Sequence, residues 1–122
     1  MRVKKSFDFE SAKLDKAVNG YEKFYREQIQ QGIAELWEIN DGESYCISRL
    51  EYDEYKEKTI LVLCCYQGKN IIQFARHAEK IADENGWQVR VHTESETLAK
   101  LYQRKMGFNK PEYVLTREPN NG

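Results

Sequence analysis

Proline is nearly absent from this sequence, with two residues in 122, and glycine numbers only seven. That composition excludes a collagen repeat, a proline-rich linker and a low-complexity tail. An excess of charge of one sign is missing too: 19 lysines and arginines face 20 acidic residues, the formal net charge is −1, and neither sign gathers into a long run. Nucleic-acid binders draw most of their affinity from neutralising phosphates, so a chain without a basic excess or stripe is not expected to be one. No apolar stretch approaches the roughly 20 residues that span a bilayer, and no membrane partner is expected. The opening Met1-Arg2-Val3-Lys4-Lys5 runs straight into Ser6, Asp8 and Glu10 without the apolar core of a secretory signal, so the expected location is the cytoplasm.

Cysteine is scarce, at an odd count of three, and Cys64 and Cys65 are neighbours inside an apolar run where a mutual disulfide would be strained. Reduced, mostly buried thiols are expected. A nucleophilic cysteine would need a basic partner that the sequence does not supply. The two histidines, His77 in a helical pattern and His92 in a strand pattern, have no companion at metal-ligand spacing, so no zinc site is readable.

What is present is the composition of a folded chain. Forty per cent of residues are hydrophobic and 12% aromatic, which argues against intrinsic disorder. The apolar residues fall in blocks, and a chain of this length supports one core, so residues 1–122 are expected to form a single domain.

Val3 to Phe9 alternate as a short strand or an extended arm. From Ser11, a plausible N-cap, the apolar spacing predicts one kinked helix or two short ones, interrupted at Gly20 and stopped near Gly32. Ile33–Ile39 and Ser44–Tyr52 flank Asn40-Asp41-Gly42-Glu43, a strong hairpin signal. Thr59–Cys65 is a continuous run of β-prone residues, the pattern of a central strand buried on both faces. A helix with a stripe at Ile71, Phe74, Ala75, Ala78, Ile81 and Ala82 follows and ends at Asn85-Gly86. Trp87–Thr93 reads as a strand parallel to Thr59–Cys65. A last helix opens at Thr93 or Ser95, carries Leu98, Leu101, Tyr102 and Met106, and ends at Gly107-Phe108 before a closing strand at Tyr113–Arg117. The class is α+β: a central mixed, twisted sheet flanked by helices, in the order β-αα-βββ-α-β-α-β.

That order resembles the GNAT superfamily of acyl-CoA-dependent N-acetyltransferases. The likeness is most specific in Leu61 to Ile72, Ala75 to Gly86 and Leu98 to Phe108. It implies acetyl-CoA as cofactor and an amine as substrate. It also implies a strand that ends in an opened bulge at Cys64 and Cys65, where backbone pairs with pantetheine. A turn at the next helix start would cradle the pyrophosphate, through free amides and small residues. Here the turn reads Gln67-Gly68-Lys69-Asn70-Ile71-Ile72. Gln67 matches the family's leading residue, Lys69 is placed to pair with a phosphate, and Asn70 and Ile72 replace the two small residues. Asn70 can still adopt a positive φ, whereas Ile72 puts a β-branched side chain where the pyrophosphate should lie.

The resemblance also offers Tyr102 as the acid that protonates the departing thiolate. Five residues separate it from Gly107 where the family has four, and one residue rotates a helix by about 100°. Tyr102 is therefore expected to join the core, with Gln103 in the family's slot. A general base would come from Glu38, Asp41 or Glu51, among which the sequence does not choose. These departures leave two readings: an N-acetyltransferase, or a non-catalytic protein of the same fold that contacts a protein partner or assembly, such as an accessory component of a bacteriophage particle.

Overall fold

The computed structural model describes residues 1–93, 96–106 and 108. Five strands form one sheet in the order β1-β2-β3-β4-β5: β1 (Val3–Ser6), β2 (Ala34–Ile39), β3 (Ser44–Asp53), β4 (Lys58–Gln67) and β5 (Gln88–Val91). The first four are antiparallel neighbours, and β5 lies parallel to β4. The sheet is mixed, as the residue patterns require. The β2–β3 hairpin turns through three successive positive φ values, 50° at Asn40, 57° at Asp41 and 94° at Gly42, which these residue types tolerate.

Alternation along the strands sorts the side chains into two layers. Leu36, Ile47, Ile60 and Val62 face one side and pack with Leu14, Val18, Tyr25 and Ile29. Ile39, Cys46 and Leu63 face the other and pack with Phe74 and Ala78. Leu36, Ile47 and Val62 are wholly buried, and each such side chain contributes about 1.5–3 kcal/mol. The helices are α1 (Glu22–Gln30) on the first face, α2 (Ile71–Asn85) on the second, and α3 (Glu96–Met106), which packs on α2 through Ala75, Tyr102 and Met106.

Three expectations change. The stretch from Ser11 is not helical before Glu22: residues 9–20 form turns and bends, and only Glu22–Gln30 is helix. Gly20 takes φ +85°, outside the helical region, and the N–H groups of Lys16 and Ala17 are drawn to the Gln67 side chain on β4, not to helical carbonyls. β1 ends at Ser6, with Phe7 80% exposed and Phe9 folded back onto the first core layer. On α2, Ile81 lies outside the stripe at 38% exposure while Ala82 is fully buried. The expected strand at residues 113–117 lies outside the described residues. Among the described residues, no helix is long and apolar enough to cross a membrane.

Candidate functional site

β4 and β5 share four rungs, from Ile60↔Gln88 to Leu63↔Val91, closed by the His92 amide donating to the Leu63 carbonyl at 3.2 Å. β4 then runs on to Gln67 with β3 alone as partner among the described residues. β5 ends at Val91, so from Cys64 onward β4 has no β5 rung among the described residues.

The end of the pairing coincides with a bulge. Ile47 pairs with Cys65 and Ser48 with Leu63, so Cys64 is the extra residue on β4. Alternation places Ile60 and Val62 on the α1 face and Leu61 and Leu63 on the α2 face; the bulge then puts both Cys64 and Cys65 on the α1 face. Every later side chain is thereby inverted. Tyr66 faces α2 and stacks on Phe74 at a centroid distance of 5.4 Å, while Gln67 points to the α1 side. A one-residue slip has this consequence in any strand of period two.

The turn from β4 into α2 is fastened to β3. Ser44 Oγ accepts from the Lys69 N–H at 2.8 Å and donates to the Lys69 carbonyl at 2.9 Å, and the Tyr66 hydroxyl donates to that same carbonyl. Gly68, at φ +130°, passes against Ser44 too closely for any side chain. Asn70 adopts the left-handed conformation, φ 62° and ψ 35°, as its position in the turn allows, and donates its side-chain N–H to Glu43 at 2.8 Å. No side chain caps the N-terminus of α2 and no acidic residue lies in its first turn. Ile71 and Ile72 are half-buried and pack against Ala75, Tyr102 and Met106.

Gln67 is engaged elsewhere than in this turn. Its Oε1 accepts from the N–H groups of Lys16 and Ala17, both at 2.9 Å, and its Nε2 donates to Asp15 at 2.9 Å. Tyr102 is 4% exposed, its ring meets Phe108 edge-on at 5.5 Å, and burial pushes its pKa up to about 12, with Cys46 and Tyr66 adding to the shift.

All three cysteines are free and buried. Burial raises the pKa of Cys46, and takes that of Cys64 to about 11 against the opposing pull of Arg49. The carboxylates considered as bases all have partners. Glu38 pairs with Lys4 at 3.3 Å and accepts from the Tyr45 hydroxyl at 3.4 Å, and Asp41 pairs with Arg2 at 2.9 Å. Glu51 lies between Arg49 at 2.7 Å and Arg90 at 3.5 Å. Glu51 also borders an open cleft of about 360 Å³, with Tyr52, Tyr55 and Ile60, at the end of β4 away from the bulge. No cluster of three metal-ligating side chains occurs among the described residues.

The bulge was implied by the family resemblance and not by the residue pattern, and the Gln67 tether by neither. A bulge leaves no mark in an apolar run, and the partners of Gln67 are about 50 residues away in sequence.

A mixed sheet whose fourth and fifth strands are parallel, with a bulge where their pairing ends and a helix shortly after, defines a class. No protein-family model and no curated protein matches the sequence. Solved structures do. A "probable acetyltransferase" superposes with a TM-score of 0.69 at 16% identity, over 98% of this chain and 100% of its own. A "possible acetyltransferase" from Clostridium difficile 630 gives 0.67 at 11% identity, over 99% and 98%. A ribosomal-protein-alanine N-acetyltransferase from Brucella melitensis biovar Abortus 2308 gives 0.65 at 17% identity, over 96% and 100%. The fold is that of the GNAT N-acetyltransferases.

Proposed function

We propose that the opening between β4 and β5 receives an acyl-CoA and that the chain transfers its acetyl group to an amine. The end of the β4–β5 ladder beside the Cys64 bulge carries this reading, because among the described residues Cys64, Cys65 and Tyr66 have no β5 rung, as an extended thioester-bearing arm would need. The start of α2 supports it: a helix N-terminus without a side-chain cap or acidic residue presents amides and a positive dipole end to an anion. Ile71 and Ile72 would supply those amides and Lys69 a positive charge. Bound acetyl-CoA would supply the thioester. The chain's own residues fix the turn that leads from this strand edge into α2, through Ser44 and Lys69.

A second reading, a non-catalytic protein of the same fold, is favoured by two observations. The Lys69 N–H already donates to Ser44, and Gln67 is committed to the Asp15–Ala17 segment. Calorimetry with acetyl-CoA separates the two. Micromolar binding is expected. No heat at millimolar cofactor would leave only the scaffold reading.

A further inference from the structure

Residues 8–20 cross the α1 face as a strap with no regular secondary structure beyond β1. The strap is nonetheless anchored: Leu14 and Val18 are 1% and 2% exposed, in the same cluster as Cys64 and Cys65. At one end Glu10 pairs with Arg26 of α1, whose guanidinium lies 5.5 Å from the Phe9 ring. At the other end the ties from Asp15, Lys16 and Ala17 to the sheet go to the two residues that the bulge turns toward this face. Gln67 makes three hydrogen bonds, to Asp15, Lys16 and Ala17, and the Cys65 thiol donates to the Ala17 carbonyl at 3.7 Å. A cleft of about 140 Å³, lined among others by Phe9, Leu14, Val18 and Arg26, already separates strap from helix.

The geometry points to Gln67 as a latch that holds this strap shut over the bulged end of β4, so that its release opens the strand end from the face opposite α2. Two properties of the side chain make it suited to the task. Both acceptor positions of Oε1 are used by consecutive backbone N–H groups that no helix satisfies, and the amide nitrogen reaches Asp15 with one of its two donors. The bond set is partly exposed and spans about 50 residues of sequence, whereas the strap's other backbone bonds, such as Val18 N–H to the Leu14 carbonyl, are internal to it, so its loss removes the polar ties that hold the Asp15–Ala17 stretch to β4. The bulge supplies the direction, since an unbulged β4 would aim Gln67 at α2. The same carboxamide cannot serve a pyrophosphate while it serves the strap. The latch does not depend on the acyl-CoA reading.

The test uses Cys65 as a reporter of opening and Cys46, buried between the sheet and α2, as an internal control. In Gln67→Ala, site-resolved alkylation of the native protein with iodoacetamide should label Cys65 at least about tenfold faster than in the wild type, with Cys46 unchanged. Asp15→Ala, at an exposed position, should shift Cys65 the same way by less, and serves alone should Gln67→Ala fail to fold. Equal acceleration at Cys46 and Cys65 would mean general loosening, and no change at Cys65 would mean that the apolar anchors suffice; either overturns the latch. A fall in acetyl-CoA affinity in Gln67→Ala without faster Cys65 labelling would assign the carboxamide to the cofactor instead. Absence of cofactor binding in the wild type bears on the acyl-CoA reading alone.

Discussion

Gly68 lies directly against Ser44: a Cβ on the glycine would stand 2.2 Å from the serine Oγ and 2.7 Å from its Cα. Ser44 is 1% exposed and opens β3 opposite Ile39, so its backbone cannot withdraw. Gly68 also holds φ +130°, a conformation other residues adopt only under strain. Gly68→Ala should therefore cost about 3 kcal/mol or more of unfolding free energy in a urea titration. Ser44→Ala, which removes both bonds to Lys69, should cost about 1–3 kcal/mol. A change below about 0.5 kcal/mol in both would show that the turn is not fastened to β3.

Phe74 and Ile81 read alike in the sequence, as members of one helical stripe, and the structure separates them. Phe74 is 4% exposed between Leu63, Cys46 and Tyr66, whereas Ile81 is 38% exposed. Phe74→Ala should destabilise by about 3–5 kcal/mol and Ile81→Ala by about 1 kcal/mol or less. Thermal or chemical denaturation of the two variants checks it, and comparable losses would place both on the core face.

The pair also shows what was legible. Apolar run, hairpin signal and helical stripe are local patterns, and they place β2, β3, β4, α2 and β5 within a residue or two of their observed ends, because each segment's burial is written into its own period. The first half resisted for the opposite reason. Leu14 and Val18 have helical spacing, and the Val18 N–H does reach the Leu14 carbonyl, yet the N–H groups of Lys16 and Ala17 between them go to Gln67, and no window around residue 16 contains that partner. The candidate site divides likewise. The turn from Gln67 to Ile72 was found from its residues, but the bulge that decides which face Gln67 serves depends on pairing with Ile47 and Ser48.

Asp15 links the strap to acidity. Its pKa is held below the ordinary carboxylate value chiefly by the hydrogen bond from Gln67. A carboxylate whose folded pKa is depressed stabilises the fold above its unfolded pKa, and that contribution disappears as pH falls through the folded value. Amide exchange of Lys16 and Ala17 should consequently rise below about pH 3.9 relative to the rest of the sheet. In Gln67→Ala the Asp15 carboxyl should titrate closer to its ordinary value by NMR. An unmoved titration would show that Nε2 does not hold it.

Tyr102 gives the opposite sign at the alkaline end. Its folded pKa of about 12 exceeds the ordinary value of 10, because the ring is buried beside Ala75 and Met106 with Cys46 and Tyr66 nearby. A phenol with a raised pKa stabilises the fold fully below its unfolded pKa, and that contribution is lost as pH climbs from about 10 through the folded value. Absorbance at the phenolate band should show one tyrosine fewer ionising near pH 10 in the wild type than in the unfolded chain for each buried ring, and Tyr102→Phe should remove one late step. At neutral pH the same substitution should change stability by only about 1 kcal/mol, since the ring packing against Phe108 is kept. It should leave acetyl-CoA affinity unaltered, the ring being buried with Ala75 and Met106. If acetyl transfer is measured and Tyr102→Phe lowers kcat by about 100-fold or more, the loss expected for a general acid, the tyrosine serves the thiolate and the register reading is overturned.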